Sequence, residues 1–99
     1  HLIKGDAREE IPKLSGPYDL VFIDADKLSY ADYYEMCLLK MDSGSLFVID
    51  NVLWDGTVLN PQSHKAESLN KFNEKISKDE RVEQVLLPIR DGVTVIRVK

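Results

Sequence analysis

Two short, uninterrupted apolar runs most constrain how this chain of 99 residues can fold. Residues 20–23 read Leu-Val-Phe-Ile and residues 46–49 read Leu-Phe-Val-Ile, with no alternation between polar and apolar side chains. Such runs are typical of parallel strands that are covered on both faces, because a strand with one face in water alternates. We therefore expect an α/β protein with a parallel sheet.

Helical periodicity fills the segment between the two runs. Apolar and aromatic residues recur there at spacings of three and four, which places six of them on one stripe of a helix: Tyr30, Tyr33, Tyr34, Cys37, Leu38 and Met41. We interpret this stripe as core. A second amphipathic helix is predicted around Leu69, Phe72 and Ile76. Asp6 is a candidate N-cap for a short helix that Pro12 limits.

Three further strands complete the predicted order. Residues 1–5 form a short candidate strand, while residues 81–89 and 93–98 flank the turn signal Arg-Asp-Gly and form an antiparallel pair. The order of strand, helix, strand, helix, strand, helix, strand, strand is that of a doubly wound α/β fold that ends in a hairpin. Residues 1–99 can form at most one small domain.

Charge and cysteine content narrow the functional classes. With 13 basic and 17 acidic residues, the chain has a net charge of -4, which argues against a protein that binds phosphate backbones but leaves nucleic acid open as a substrate. The single Cys37 permits neither an internal disulfide nor a Cys-rich zinc site. No apolar run reaches the roughly 18 residues of a membrane span. We expect a cytoplasmic protein without a membrane partner.

Polar residues follow the predicted strands at the points where these end. Asp6, Asp24 and the pair Asp50 and Asn51 each occupy such a position. Ligands of open parallel sheets bind outside the carboxyl ends of the strands, and acids gathered there repel one another unless a cation lies among them. The oxygen donors of Asp24, Asp50 and Asn51 suit Mg²⁺, Mn²⁺ or Ca²⁺. For any single residue, a loop-starting or helix-capping role is the alternative.

Three more side chains have both a functional and a structural interpretation. Lys27, three residues past Asp24, is either a base or electrostatic partner at the site or a solvated lysine. Trp54 is either a lid over a planar substrate or a packing anchor for its loop. His64 has no second histidine or cysteine near it and is interpreted as a surface residue.

Three stretches carry a family resemblance: YDLVFIDADKLSYADYYE, VIDNVLWDGTV and FNEKISKDERVEQVLLPIRDGVTVIR. They resemble the C-terminal half of the caffeoyl-CoA and catechol type O-methyltransferases, a cation-dependent class I family that uses S-adenosylmethionine. The resemblance runs from about residue 5 to residue 97. It implies the C-terminal part of a Rossmann-like methyltransferase sheet, mostly parallel with a final antiparallel hairpin.

The resemblance also implies roles for the residues at the strand ends. Asp24, Asp50 and Asn51 match the metal ligands of the family, and Lys27 matches its proposed catalytic base. The implied reaction is an in-line displacement in which the metal, with Mg²⁺ expected and Mn²⁺ or Ca²⁺ as alternatives, lowers the pKa of a substrate hydroxyl and directs its oxygen to the sulfonium methyl group. Asp24 is therefore counted among the catalytic residues as well, and Trp54 is the candidate substrate contact.

A second set of positions matches the cofactor site of the family. Asp6 and Ala7 correspond to the stretch that lines the adenine, and Asp26 and Tyr33 correspond to positions at the methionine end. The resemblance implies that Asp24 belongs to the cofactor site as well as to the metal site. S-adenosylmethionine is the expected cofactor.

The sequence also departs from the family pattern. Ser43, Gly44 and Ser45 replace a usual Pro-Gly-Gly, and the Gly-rich cofactor loop is expected upstream of His1. We therefore expect a partial domain from a protein of about 200 residues, or a sheet completed by a second copy, with exposed strand edges. The isolated chain is expected to be inactive, and the family implies a homodimer.

Several functional alternatives stay open at this point. The expected acceptor is a catechol-like small molecule, with a hydroxylated tRNA base as the alternative. A non-catalytic dimerisation or metal-binding module is the alternative from another class. A metal-dependent hydrolase is disfavoured, because no Ser, Cys or His is placed beside the acids as a nucleophile or base.

Overall fold

The computed structural model describes all of residues 1–99. In chain order, the helices and strands are α1 (Ala7–Glu10), β1 (Leu20–Ile23), α2 (Tyr30–Leu38), β2 (Leu46–Asp50), α3 (His64–Ser77), β3 (Val82–Leu87) and β4 (Val93–Val98). Short 3₁₀ turns cover Ile11–Lys13, Lys27–Ser29 and Thr57–Leu59. None of the helices combines the length and the apolar character that crossing a bilayer requires.

The four strands form one sheet in the spatial order β1, β2, β4, β3. β1 runs parallel to β2, whereas β4 runs antiparallel to both β2 and β3. The sheet is thus parallel at its start and antiparallel at its end, which confirms the predicted α/β fold with a closing hairpin. β3 ends at Leu87, short of the predicted residue 89, because Pro88 has no N–H group for the strand ladder.

The core lies between one face of the sheet and the helices α2 and α3. Tyr34 is fully buried between the sheet and α3, with its ring centroid 5.1 Å from that of Phe47 and 6.1 Å from that of Phe72. Tyr30 packs edge-on against Phe72 at 5.8 Å. The predicted aromatic stripe of α2 is therefore core, and Met41 is buried although the helix ends before it.

The opposite face of the sheet is open. Leu20 and Phe22 of β1 are 59% and 61% exposed, and Phe22 continues through Val48 and Val95 to Val85 in one cross-strand row. The expectation that helices cover both faces is wrong for these 99 residues, since α2 and α3 both pack on the same side. The apolar runs of β1 and β2 therefore place apolar side chains on both faces of the sheet, and no helix of this chain covers the second face.

The predicted strand over residues 1–5 is absent. These residues have no regular structure, and Leu2 is almost fully exposed. A strand requires a neighbour for its backbone hydrogen bonds, and β1 at the adjacent sheet edge pairs only with β2. The N-cap prediction that follows this segment is confirmed, because Asp6 Oδ1 accepts a hydrogen bond from Arg8 N at 2.9 Å.

Candidate active site

The strand order gathers the predicted residues at one edge of the sheet. β1 and β2 are parallel neighbours, so Asp24 after β1 and Asp50 at the end of β2 share that edge. β4 begins at the same edge because it runs antiparallel to β2, with Val93 opposite Asp50. The β3–β4 turn (residues 88–92) therefore lies beside the β2 loop (residues 51–56).

Lys27 is a buried cation at this edge. Only 7% of it is exposed, and its Nζ donates to Asp24 Oδ1 at 3.2 Å and to Tyr30 Oη at 2.6 Å. The Tyr30 hydroxyl in turn donates to the carbonyl oxygen of Asp50 at 2.8 Å. Burial favours a lower pKa, but the hydrogen bonds to Tyr30 and Asp24 outweigh it and raise the pKa of Lys27. The solvated-lysine interpretation is wrong.

Asp50 is held by an arginine from the β3–β4 turn. Arg90 Nη1 donates to Asp50 Oδ2 at 2.9 Å, and the backbone N–H of Asn51 donates to Asp50 Oδ1 at 2.8 Å. The hydrogen bond from Arg90 is the largest influence on the pKa of Asp50 and lowers it, against the opposing effect of burial. The carboxylate is thus ionised and already faces a cation.

Asn51 adopts a left-handed conformation, with φ of 61°. Its amide nitrogen Nδ2 donates to Asp91 Oδ2 at 3.2 Å, and the other oxygen of Asp91 accepts from the backbone N–H of Asp55 at 2.7 Å. The carboxamide oxygen of Asn51 makes no hydrogen bond within the chain. The Asp91 carboxylate therefore links Asn51, at the start of the β2 loop, to Asp55, near its end.

These side chains offer a set of hard oxygen donors. The predicted metal ligands are two carboxylates and one carboxamide, those of Asp24, Asp50 and Asn51. No cluster of three or more His, Cys, Asp or Glu side chains is arranged to hold a metal. Asp24 Oδ2 and Asn51 Oδ1 accept no hydrogen bond, while Arg90 contacts one oxygen of Asp50. The donor chemistry fits Mg²⁺, Mn²⁺ or Ca²⁺.

A cleft of about 300 Å³ opens beside β1, next to this edge. Ala7, Asp24 and Tyr33 line it together with apolar side chains, so three of the predicted cofactor positions share one cavity. The Tyr33 hydroxyl donates to Asp26 Oδ1, and the hydrogen bonds from Ser29 and Tyr33 lower the pKa of Asp26. The cleft therefore has a mainly apolar wall, and Tyr33 connects it to the ionised carboxylate of Asp26, which does not itself line the cleft.

The remaining cofactor and substrate candidates lie at the margins of the site. The Asp6 carboxylate is turned towards Arg8, to which it is bonded at 3.0 Å. Trp54 is half-buried against the core, with φ of 50°, and its ring centroid is 5.7 Å from Lys27 Nζ and 5.9 Å from Lys65 Nζ. Trp54 is thus both packed into its loop and part of the wall beside Lys27.

Sequence reasoning missed three contributors to this site. Tyr30 was predicted only as core, although its hydroxyl links Lys27 to the end of β2. Arg90 and Asp91 were predicted only as turn residues. The turn signal could have indicated their role, because a hairpin whose second strand pairs antiparallel to β2 returns its turn to the carboxyl end of β2.

Comparison with known proteins identifies the family. A family model described as "O-methyltransferase" matches residues 1–99. The chain belongs to this O-methyltransferase family. The chain is 46% identical over 82 residues to "Probable caffeoyl-CoA O-methyltransferase 2" of Dictyostelium discoideum and covers 36% of that protein, with 80% of the chain aligned. It is 35% identical over 92 residues to a caffeoyl-CoA O-methyltransferase of Stellaria longipes, aligning 86% of the chain with 38% of the relative.

A solved methyltransferase has the same fold. The crystal structure of the SAH-bound methyltransferase PaMTH1 of Podospora anserina superposes with a TM-score of 0.90 at 31% identity, covering 98% of the chain and 48% of that protein. The four-stranded mixed sheet is thus part of a Rossmann-like methyltransferase fold, as expected. The chain spans less than half of the length of each of these three proteins.

Proposed function

We propose that this chain is the metal- and acceptor-binding half of an O-methyltransferase that transfers a methyl group from S-adenosylmethionine to a hydroxyl of a catechol-like small molecule. The observation that carries the proposal is the buried Lys27 ammonium, which is fixed by Asp24 and Tyr30 directly beside the carboxylate-bearing end of β2. The family membership supports the reaction, and the rest of the sheet and the Gly-rich loop are assigned to residues upstream.

The oxygen donors are assigned to a divalent cation. Asp24, Asp50 and Asn51 would hold it, because their unused lone pairs are hard oxygen donors at one edge of the sheet. Bound S-adenosylmethionine supplies the methyl group, and a bound divalent cation lowers the pKa of the acceptor hydroxyl and orients its oxygen. Arg90 is expected to yield its contact with Asp50 Oδ2 when a cation binds.

Lys27 is assigned to the developing negative charge on the acceptor oxygen. Its three donor protons have two fixed acceptors, Asp24 and Tyr30, which leaves one proton for a third partner. A fixed ammonium in a partly water-excluded position stabilises an oxyanion without reorganising during the reaction. The ammonium has no lone pair, and the raised pKa of Lys27 keeps it protonated, so its role is to donate a hydrogen bond to the deprotonated acceptor oxygen.

The cleft beside β1 is assigned to the cofactor. Its apolar wall suits an adenine ring, with Asp6 and Ala7 near the adenine, and the ionised Asp26 held by Tyr33 suits the amino group of the methionine part. Trp54 offers an aromatic wall to a planar acceptor. The net charge of -4 favours a small-molecule acceptor over a tRNA base, and a homodimer is proposed for the whole protein.

Methyl transfer by the full-length protein tests the proposal. With S-adenosylmethionine, Mg²⁺ and a vicinal dihydroxybenzene, we expect a methylated product that disappears with a chelator and falls at least about a hundredfold in Asp50→Asn. Asp42→Asn, which changes an exposed carboxylate in the loop before β2, serves as the control. Transfer that persists in chelator and in Asp50→Asn would refute the metal role, and failure to bind S-adenosylhomocysteine would refute the methyltransferase assignment, leaving a non-catalytic module.

A further inference from the structure

We propose that Asp91 is a positioning residue that determines which end of the Asn51 carboxamide faces the metal site. The inference rests on the proposed function, since it concerns the orientation of one proposed metal ligand. It adds a residue from the β3–β4 turn that contacts neither metal nor substrate.

Both oxygens of the Asp91 carboxylate accept hydrogen bonds from the β2 loop. Oδ2 accepts from Asn51 Nδ2 at 3.2 Å, and Oδ1 accepts from the backbone N–H of Asp55 at 2.7 Å. An ionised carboxylate has no proton to donate. Asn51 must therefore turn its NH₂ group towards Asp91, which leaves the oxygen Oδ1 directed away from Asp91.

The backbone fixes the two partners relative to each other. The N–H of Leu53 donates to the carbonyl oxygen of Asp91 at 3.0 Å, and the N–H of Val52 donates to that of Gly92 at 3.3 Å. Asn51 itself is in the left-handed region, with φ of 61°, which allows it to leave β2 sharply towards the turn. The contact between the side chains of Asn51 and Asp91 is thus built on a rigid support.

The orientation matters because the two ends of an amide differ as ligands. The carboxamide oxygen binds hard divalent cations, whereas its NH₂ group has no available lone pair for them and presents protons. If nothing fixed the amide, both orientations would be accessible by a half-turn about the terminal torsion of the side chain. Asp91 selects the orientation with the oxygen available.

Asp91→Asn reverses this selection with the fewest other changes. The amide introduced at position 91 has one acceptor, and the backbone N–H of Asp55 requires it, so its NH₂ group faces Asn51. Asn51 then turns its own oxygen towards position 91 and its NH₂ group towards the metal site. The shape of the turn is kept, but one oxygen ligand is lost.

The double substitution Asn51→Asp with Asp91→Asn restores an oxygen ligand. A carboxylate at position 51 has oxygens at both ends, so one accepts from the amide at position 91 and the other faces the metal site. The double variant also has the same net charge as the parent. Asp55→Asn is the control for charge alone, since the Asp55 side chain makes no hydrogen bond and only its backbone N–H contacts Asp91.

The test is a titration of the full-length protein with Mn²⁺, in which electron paramagnetic resonance measures the free metal. Thermal unfolding checks that each variant is folded. Loss of an outer-sphere partner typically weakens metal binding tenfold to a hundredfold, so we expect the Kd to rise by about that factor in Asp91→Asn. We expect it to return to within about threefold of the parent value in the double variant and to change less than about twofold in Asp55→Asn.

Each other outcome overturns the inference. An unchanged Kd in Asp91→Asn shows that Asp91 does not orient the ligand. A folded double variant that binds Mn²⁺ at least about tenfold more weakly than the parent shows that the orientation of the amide is not what was lost, and this comparison with the parent holds even if Asp91→Asn alone fails to fold. Absence of Mn²⁺ binding by the parent protein refutes the proposed metal site itself, which distinguishes the two failures.

Discussion

Two cations hold the acidic residues at the edge of the sheet, and their surroundings differ. Lys27 is buried and bonded to Asp24, whereas Arg90 reaches Asp50 from a largely exposed position in the β3–β4 turn, with 67% of its side chain accessible. Releasing an exposed arginine into water costs little, while moving a buried lysine leaves polar partners unsatisfied. Arg90 is therefore the exchangeable cation and Lys27 the permanent one.

Replacing Arg90 should strengthen metal binding. In Arg90→Gln the Asp50 carboxylate no longer has a competing positive charge. We expect the Kd for Mn²⁺ to fall about twofold to fivefold, because exposed ion pairs are worth up to about 1 kcal/mol. The measurement is the same Mn²⁺ titration. Arg97→Gln makes the same charge change at the far end of β4 and should leave the Kd unaltered. Weaker binding in Arg90→Gln would mean that Arg90 supports the site.

Replacing Lys27 should impair catalysis more than cofactor binding. In Lys27→Met the apolar stem is kept but the charge beside the acceptor oxygen is lost, and kcat is expected to fall about a hundredfold to ten-thousandfold. The affinity for S-adenosylhomocysteine should stay within about threefold, measured by isothermal titration. Lys71→Met, at an exposed position of α3, is the matched control. An undiminished kcat in Lys27→Met would remove Lys27 from the mechanism.

At the scale of elements, the packing of the β3–β4 turn against the β2 loop builds the site. A Cβ atom at Gly92 would lie 2.5 Å from Leu53 Cγ, and its φ of 79° is in the left-handed region. The side chains of Arg90 and Asp91 reach Asp50 and Asn51 only because this approach is so close. Gly92 thus permits both the turn itself and the close packing that brings Arg90 and Asp91 to the site.

Two glycine substitutions separate the cost of a left-handed backbone conformation from the cost of a steric clash with Leu53. Gly44→Ala, where φ is 91° and the Cβ atom would meet nothing within 4 Å, should cost only the conformational strain of about 1 kcal/mol. Gly92→Ala adds a clash with Leu53, so we expect it to lower the free energy of unfolding by at least about 1 kcal/mol more. Urea denaturation measures both. Equal decreases in the free energy of unfolding would show that the β2 loop moves away from position 92 without an energetic cost.

A second contact between elements fastens the start of β3 to α2. Arg81 donates to both Asp79 and Glu35, and the Tyr34 hydroxyl donates to Asp79 Oδ2 at 2.8 Å. The hydrogen bond from Arg81 is the largest influence on the pKa of Asp79 and lowers it far below its ordinary value of 3.8. The folded protein therefore binds a proton on Asp79 less readily than the unfolded chain does.

The contribution of Asp79 to stability should depend on pH. It is fully present above the ordinary pKa of 3.8 and is lost as the pH falls from there towards the lowered pKa of the folded state. At about pH 7 we expect Asp79→Asn to be about 1 to 2 kcal/mol less stable than the parent, with a difference that shrinks in acid. Urea denaturation across this range measures it, with Asp42→Asn as the control. A difference that is independent of pH would contradict the assignment.

The sequence predicted the elements and half of the site for identifiable reasons. Helical spacing located α2 and α3, and the rule that parallel strands end at one edge placed Asp24 and Asp50 together. The roles of Arg90 and Asp91 depend on the register of β4 against β2, which no local pattern specifies. The open face of the sheet was equally hidden, because apolar runs show that a face is to be covered but not by what.

At the scale of the whole molecule, the open face and the edge of β1 mark where more of the fold belongs. Leu20 and Phe22 are largely exposed on the open face, and β1 pairs on one side only. The related O-methyltransferases and the methyltransferase PaMTH1 are at least twice as long as the stretch that this chain matches. We expect the remainder of the full-length protein to cover this face, pair with β1 and close the cleft beside Tyr33.

A crystal structure of the full-length protein with Mn²⁺ and S-adenosylhomocysteine would test the proposed metal and cofactor sites together. We expect an anomalous peak at about 2.0–2.6 Å from oxygens of Asp24, Asp50 and Asn51, with Arg90 released and the cofactor in the cleft lined by Ala7 and Tyr33. A manganese peak elsewhere, with Arg90 still on Asp50, or S-adenosylhomocysteine bound outside that cleft, would contradict it.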